Sequence, residues 1–252
     1  MKKLFEKNEI TFAVVLIIVY VVGSSVILNV SEDPLVQNIA GAAFNAVMTA
    51  VLLIFIAKNN LAKYVGLCSS EVSAVKMWFY IPLILCATVT LFFGLGLEVS
   101  PANVAFRTVK MIFVGFLEEV IFRGFLFKGI CKENVTRAII ISSVTFGIGH
   151  VVNLFNGYDL FNNIVQIVFA VAVGFMLVFI FYRTGSLIAC ICFHSLNNSV
   201  SGFASGEHLI NALGSEQTAQ LVITAVKIAI TGIYLLYVIK LPKRQLTVDS
   251  TQ

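Results

Sequence analysis

The chain has 252 residues, 59% of them hydrophobic and only 12% charged, with a mean hydropathy of +0.96. A soluble domain carries about 25% charged residues, so these figures exclude one and point to a polytopic, all-α membrane protein. The formal net charge of +4 implies no nucleic-acid partner, because the basic residues never cluster with aromatics on a soluble face and attraction to anionic lipid accounts for it.

Apolar runs long enough to cross a hydrocarbon core, about 20 residues each, predict eight helices in one transmembrane domain over 1–252. They cover residues 9–30, 37–57, 76–96, 107–127, 137–154, 160–182, 186–203 and 217–240. Lys2, Lys3 and Lys7 precede the first run as they would a signal peptide. The run nevertheless continues to Val30 with no Ala-x-Ala-like site, which favours an uncleaved helix. In the second run Asn45 reads as a packing hydrogen bond, and in the third Pro82 as a first-turn proline. Residues 98–104, with Ser100-Pro101, read as an outer turn.

Basic residues orient the bundle. With the N-terminus cytoplasmic, the inner segments hold Lys2, Lys3, Lys7, Lys58, Lys63, Lys76, Lys128, Lys132, Arg137, Arg183, Lys240, Lys243 and Arg244, 13 of the 17 basic residues. Arg107 and Lys110 lie near the outer end of the fourth helix, and Arg123 and Lys227 lie within helices. Both termini are therefore expected inside. The five cysteines form no Cys-x-x-Cys and read as small buried hydrophobes; Cys190, four before His194, is the one that shares a face with a metal-ligand type.

The fourth helix carries the most expensive residues. Glu118, Glu119 and Arg123 sit among large apolar side chains, and a charge within a lipid-spanning helix costs about 2.5 to 3.5 kcal/mol on insertion scales, so it faces inward and finds a partner. Glu119 and Arg123 are four apart and share a face, which leaves Glu118 free for chemistry. The bland alternative is a structural ion pair locking two helices. The fifth helix ends with Phe146-x-x-x-His150, and the seventh supplies His194-x-x-x-Asn198. At about 1.5 Å of rise per residue, Glu118, His150, His194 and Asn198 lie roughly 15, 20, 13 and 19 Å from the cytoplasmic end, in one slab near mid-bilayer. His208 falls in an outer loop and reads as a surface residue.

No serine or cysteine has an evident triad partner, so water activation by carboxylate and imidazole is the better fit. Burial disfavours the charged form of a carboxylate, which suits a general base, and His and Asn can donate to the oxyanion of a tetrahedral intermediate. Two His and one Glu also make the three-ligand set of a catalytic zinc. The residue types fit both versions.

Glu118-Glu119-x-x-x-Arg123, Phe146-x-x-x-His150 and His194-x-x-x-Asn198, in that order on separate helices, resemble the CAAX protease and bacteriocin-processing family, also called the Abi or type II CAAX prenyl endopeptidase family. The resemblance spans roughly 107–203 and implies an eight-helix intramembrane endopeptidase. It implies that Glu118 and His150 activate water, that His194 and Asn198 stabilise the oxyanion, and that Glu119 and Arg123 support the site. A metal held by Glu118, His150 and His194 is left open. The implied partners are the bilayer and a membrane-delivered peptide or lipidated protein; short loops suggest a bacterial plasma-membrane protein. Two other readings compete: an immunity or scaffold protein that acts by binding, and a small proton-coupled transporter using Lys227, which is expected to pair with a carboxylate or carbonyls inside the bundle.

Overall fold

The computed structural model describes residues 1–96 and 100–242; Glu98, Lys243 and Arg244, invoked above for the outer turn and the inner charge, lie outside them. The described chain is helical, with one isolated bridge between Leu95 and Ala204. Its elements are α1 (Lys2–Lys7), α2 (Glu9–Leu28), α3 (Pro34–Lys58), α4 (Ile81–Thr88), α5 (Pro101–Glu119), a π-helical segment (Val120–Phe127), α6 (Lys128–Cys131), α7 (Val135–Ile148), a 3-10 segment (Gly149–Asn156), α8 (Leu160–Thr184), α9 (Ile188–Val200), α10 (Glu207–Leu213) and α11 (Glu216–Lys240).

Local chemistry sets where these helices begin. A helix N-terminus leaves unpaired N–H groups that a short polar side chain can satisfy. Asn8, Ser100 and Asn134 do so for Thr11, Asn103 and Arg137, while Asp33 caps α3 ahead of Pro34. Ser100 with Pro101 therefore starts α5 instead of lying in a turn, six residues ahead of the expected 107. Pro82 lies in the first turn of α4 as expected.

All eight expected segments contain helix, but among the described residues five helices are long and apolar enough to cross a membrane: Glu9–Leu28, Pro34–Lys58, Val135–Asn156, Leu160–Thr184 and Glu216–Lys240. The other three fall short for physical reasons. The run Trp78–Phe93 is short and α9 has only 13 residues. The segment from α5 to α6 contains Arg107, Lys110, Glu118, Glu119 and Arg123. Outward faces are apolar, as lipid requires: Ile18, Val22 and Val26, successive fours on α2, are 55 to 61% exposed.

The interior is built on aromatic packing and close helix approach. Phe5, Phe12 and Phe125 meet edge to face at 5.1 to 5.9 Å between ring centroids, joining α1 and α2 to the π-helical segment; such pairs add about 0.5 to 1.5 kcal/mol beyond burial. α5 packs between α3 and α9, and α8 between α7 and α11. A Cβ on Gly115 would come within 2.7 Å of the Ser195 backbone nitrogen, so this glycine lets α9 lie directly against α5 and brings His194 to the two glutamates. α11 is fastened to the turn before α4, where Trp78, Phe79 and Tyr80 have left-handed φ of 50 to 57°. Tyr234 donates to the Met77 carbonyl at 2.8 Å, and Tyr237 stacks on Trp78 at 4.1 Å.

Candidate active site

Four helical segments deliver the site. Glu118 and Glu119 are the last two residues of α5, and the backbone then widens into the π-helical segment, all eight of whose residues are buried. Such i→i+5 turns recur at functional sites, and nothing in the hydrophobic spacing signals this one. Arg123, in its middle, is fully buried and donates from Nη1 to Glu119 Oε1 at 2.9 Å. Its guanidinium lies 4.1 Å from the centre of the Phe146 ring, so Phe146 serves as an apolar wall with a cation-attracting face. The pairing of Glu119 with Arg123 inferred from their spacing is present.

His194 lies between the two carboxylates. Its Nδ1 is 2.8 Å from Glu119 Oε1 and its Nε2 is 3.5 Å from Glu118 Oε2; the second separation is longer than a normal hydrogen bond. A carboxylate only accepts, so Nδ1 carries a hydrogen. Glu119 Oε1 thus holds both Arg123 and His194, while Glu118, its side chain 13% exposed, is the reachable carboxylate.

Glu118 also has a partner that the sequence did not signal. The Tyr20 hydroxyl, from α2, donates to Glu118 Oε1 at 2.8 Å. Tyr20 is one aromatic in an apolar helix, and its periodicity resembles that of its neighbours. Only the tertiary contact distinguishes it.

His150 stands on the 3-10 segment that follows α7. Its Nδ1 faces the Phe146 carbonyl at 3.1 Å, and because that oxygen only accepts, Nδ1 is the donor. Nε2 of the neutral ring is then left as an acceptor. The His150 carbonyl is itself held by Asn163 at 2.8 Å.

Tyr20, Glu118, His150 and Asn198 line one cavity of about 250 Å³, together with Asn45 and Lys110. Asn45, expected to make a packing hydrogen bond, instead has its buried Oδ1 without a partner among the described residues. Lys110 donates to Asn38 on α3. His194 is not among the lining residues and stands behind Glu118. The structure therefore brings all six anticipated residues together, four of them through hydrogen bonds or ion pairs and His150 and Asn198 through the shared cavity.

A zinc ion needs its donors about 2 Å from one point, and no three His, Cys, Asp or Glu side chains among the described residues are gathered in that way. Glu118, His150 and His194 as placed do not fit the three-ligand set. Cys190 is buried, its thiol directed to the Leu177 carbonyl. His208 is exposed on α10. Lys227 lies within the bundle, 7% exposed, and donates to the side-chain oxygen of Asn197 at 2.7 Å, an amide carbonyl and not a carboxylate.

Residues 100–200 match the family model described as type II CAAX prenyl endopeptidase Rce1-like. No curated protein and no solved structure matches the chain. The matched stretch is less than half of the chain, yet it contains Glu118, Glu119, Arg123, His150, His194 and Asn198. Over residues 100–200 the chain is accordingly similar to the Rce1-like type II CAAX prenyl endopeptidase family.

Proposed function

We propose that the protein is an intramembrane endopeptidase in which Glu118 and His150 activate water against a peptide carbonyl. The observation that carries this reading is the cavity that Glu118, His150 and Asn198 line together, with the Tyr20 hydroxyl fixing the reachable carboxylate. The family match favours hydrolysis over the immunity and transport readings.

Water bound between Glu118 and His150 loses a proton to one of them as its oxygen attacks the carbonyl carbon. The resulting oxyanion accepts a hydrogen bond from the Asn198 amide, a contribution typically worth about 10² to 10³ in rate. When the C–N bond breaks, the same proton passes to the leaving amine. Glu119 and Arg123 take no part in proton transfer. They hold His194 through its Nδ1–H, and in the protonated ring Nε2–H lies beside Glu118 and shares in oxyanion stabilisation.

The substrate class is a peptide or lipidated protein delivered through the bilayer of a bacterial plasma membrane, with both termini of the protease on the cytoplasmic side. The test is cleavage of a tethered peptide library in reconstituted vesicles. Glu118→Ala and His150→Ala proteins should lose cleavage while remaining folded; equal cleavage by either variant and the wild type would sink the assignment.

A further inference from the structure

The proposed oxyanion donor, Asn198, can serve only if its amide presents nitrogen, not oxygen, to the cavity. A side-chain amide can be turned either way. Its orientation must therefore be imposed by a neighbour, and the structure contains a chain of neighbours that imposes it.

The chain begins at Lys227, on α11 and outside the matched stretch 100–200. Lys227 Nζ is 2.7 Å from Asn197 Oδ1 and also lies 4.6 Å from the centre of the Phe169 ring. An ammonium group has three donors and no acceptor. Asn197 must therefore turn its oxygen to Lys227, which sends its nitrogen the other way. Asn197 Nδ2 meets Asn198 Oδ1 at 3.2 Å. A donor at that position requires the Asn198 oxygen, so the Asn198 nitrogen is left over. That nitrogen makes no hydrogen bond within the described residues, and Asn198 lines the cavity.

We infer that Lys227 is a positioning residue that fixes the polarity of the Asn197–Asn198 amide pair and so presents the Asn198 N–H donor to the oxyanion. The inference rests on the proteolytic reading for its chemical purpose, but the geometry of the relay stands apart from it. Lys227 does not touch the substrate. It acts through two amides, and its charge adds a favourable field behind the same donor. A buried lysine in an apolar helix is costly; its placement follows if a group that can only donate is needed at the head of the relay.

The experiment uses the full-length protein in vesicles with the tethered peptide library. Lys227→Met should lower kcat about tenfold or more with KM within about twofold, since one donor is misoriented and binding is untouched. Lys227→Arg, which also only donates, should retain more activity than Lys227→Met. In Lys227→Met combined with Asn198→Ala, cleavage should be no slower than in Asn198→Ala alone, because both substitutions act on one group. A purely structural lysine would multiply the two losses and overturn the inference, as would wild-type kcat in Lys227→Met.

Asn197→Asp is the second variant. It keeps an oxygen for Lys227 and thus the fold, but it removes the donor to Asn198, so Asn198 is free to turn its oxygen to the cavity. Its kcat should fall toward that of Asn198→Ala; wild-type kcat would refute the relay. Independently of cleavage, the side-chain amide signals of Asn198 in 15N-asparagine-labelled protein, identified by their loss in Asn198→Ala, should shift in Lys227→Met. Unshifted signals would also refute the relay. If the wild type cleaves nothing, the proteolytic reading falls while these signals still decide the relay.

Discussion

Replacing Arg123 by methionine tests how the site is held together. Arg123 and Glu119 are both fully buried and 2.9 Å apart. At an effective dielectric of about 20 their attraction is about 6 kcal/mol before the cost of removing both from water. Methionine keeps most of the length of the side chain and removes the charge, leaving Glu119 buried with only the His194 imidazole as partner. Breaking a buried pair in this way costs about 3 to 5 kcal/mol, and the lost contact with the Phe146 ring adds as much as about 2 kcal/mol. The pair itself is incompletely satisfied: Glu119 Oε2 and Arg123 Nε and Nη2 have no hydrogen-bond partner among the described residues. Removing both charges, with Glu119→Gln and Arg123→Met together, should therefore restore at least about 2 kcal/mol of the loss, because the introduced amide still offers an oxygen to His194 Nδ1. SDS-induced unfolding in mixed micelles measures both variants. A single variant within about 1 kcal/mol of wild type, or a double variant as unstable as the single, would refute the view that Arg123 serves to neutralise Glu119.

Three further outcomes follow from the geometry. Tyr20→Phe deletes one hydroxyl and opens no cavity; losing a hydrogen bond to a charged group, about 1.5 kcal/mol, should lower kcat/KM roughly tenfold in the vesicle assay with little change in unfolding, and an unchanged rate would remove Tyr20 from the site. Gly115→Val drives a side chain into the Ser195 backbone; overpacking of this kind costs about 1 to 3 kcal/mol, and by separating α5 from α9 it should also reduce cleavage, so a stable and active variant would contradict the close approach. Dialysis of wild-type protein against a chelator should leave cleavage unchanged, since the acidic and imidazole groups do not form a three-ligand set as placed; a large loss reversed by added zinc would show that Glu118, His150 and His194 close around an ion.

The anticipated residues were legible in the sequence because charge within an apolar run is expensive, so each one must be explained by a partner. That argument finds Glu118, Glu119, Arg123 and the two histidines, and spacing of four along a helix correctly pairs Glu119 with Arg123. It fails where a helix departs from α geometry. The π-helical turn at Val120–Phe127 and the 3-10 segment at Gly149–Asn156 have ordinary apolar sequences, and their geometry comes from packing that a period of 3.6 does not encode. The beginning of α5 was missed for a different reason: Ser100-Pro101 is equally good as a turn and as a cap, and only the residues that follow decide between them. Residues whose role is to hold others were also invisible. Tyr20 is one aromatic among many, and it acquires meaning only from the Glu118 that α5 places opposite it.

This pattern bears on which part of the protein would define the proposed protease. The stretch 100–200 contains every group expected to handle a proton or an oxyanion, yet two of those groups depend on helices beyond it. Glu118 is aimed by Tyr20 from α2, and Asn198 is turned by Lys227 from α11 through Asn197. Each outer helix supplies a donor that constrains an acceptor in the core, and each is tied down elsewhere, α2 by the Phe12 and Phe125 contact and α11 by Tyr234. A hydrogen bond from a mobile donor would not fix the direction of a carboxylate or an amide, so this packing is part of the site's preorganisation. Substitutions that loosen α2 or α11 without touching the cavity, such as Phe12→Ala or Tyr234→Phe, should accordingly lower kcat more than they raise KM.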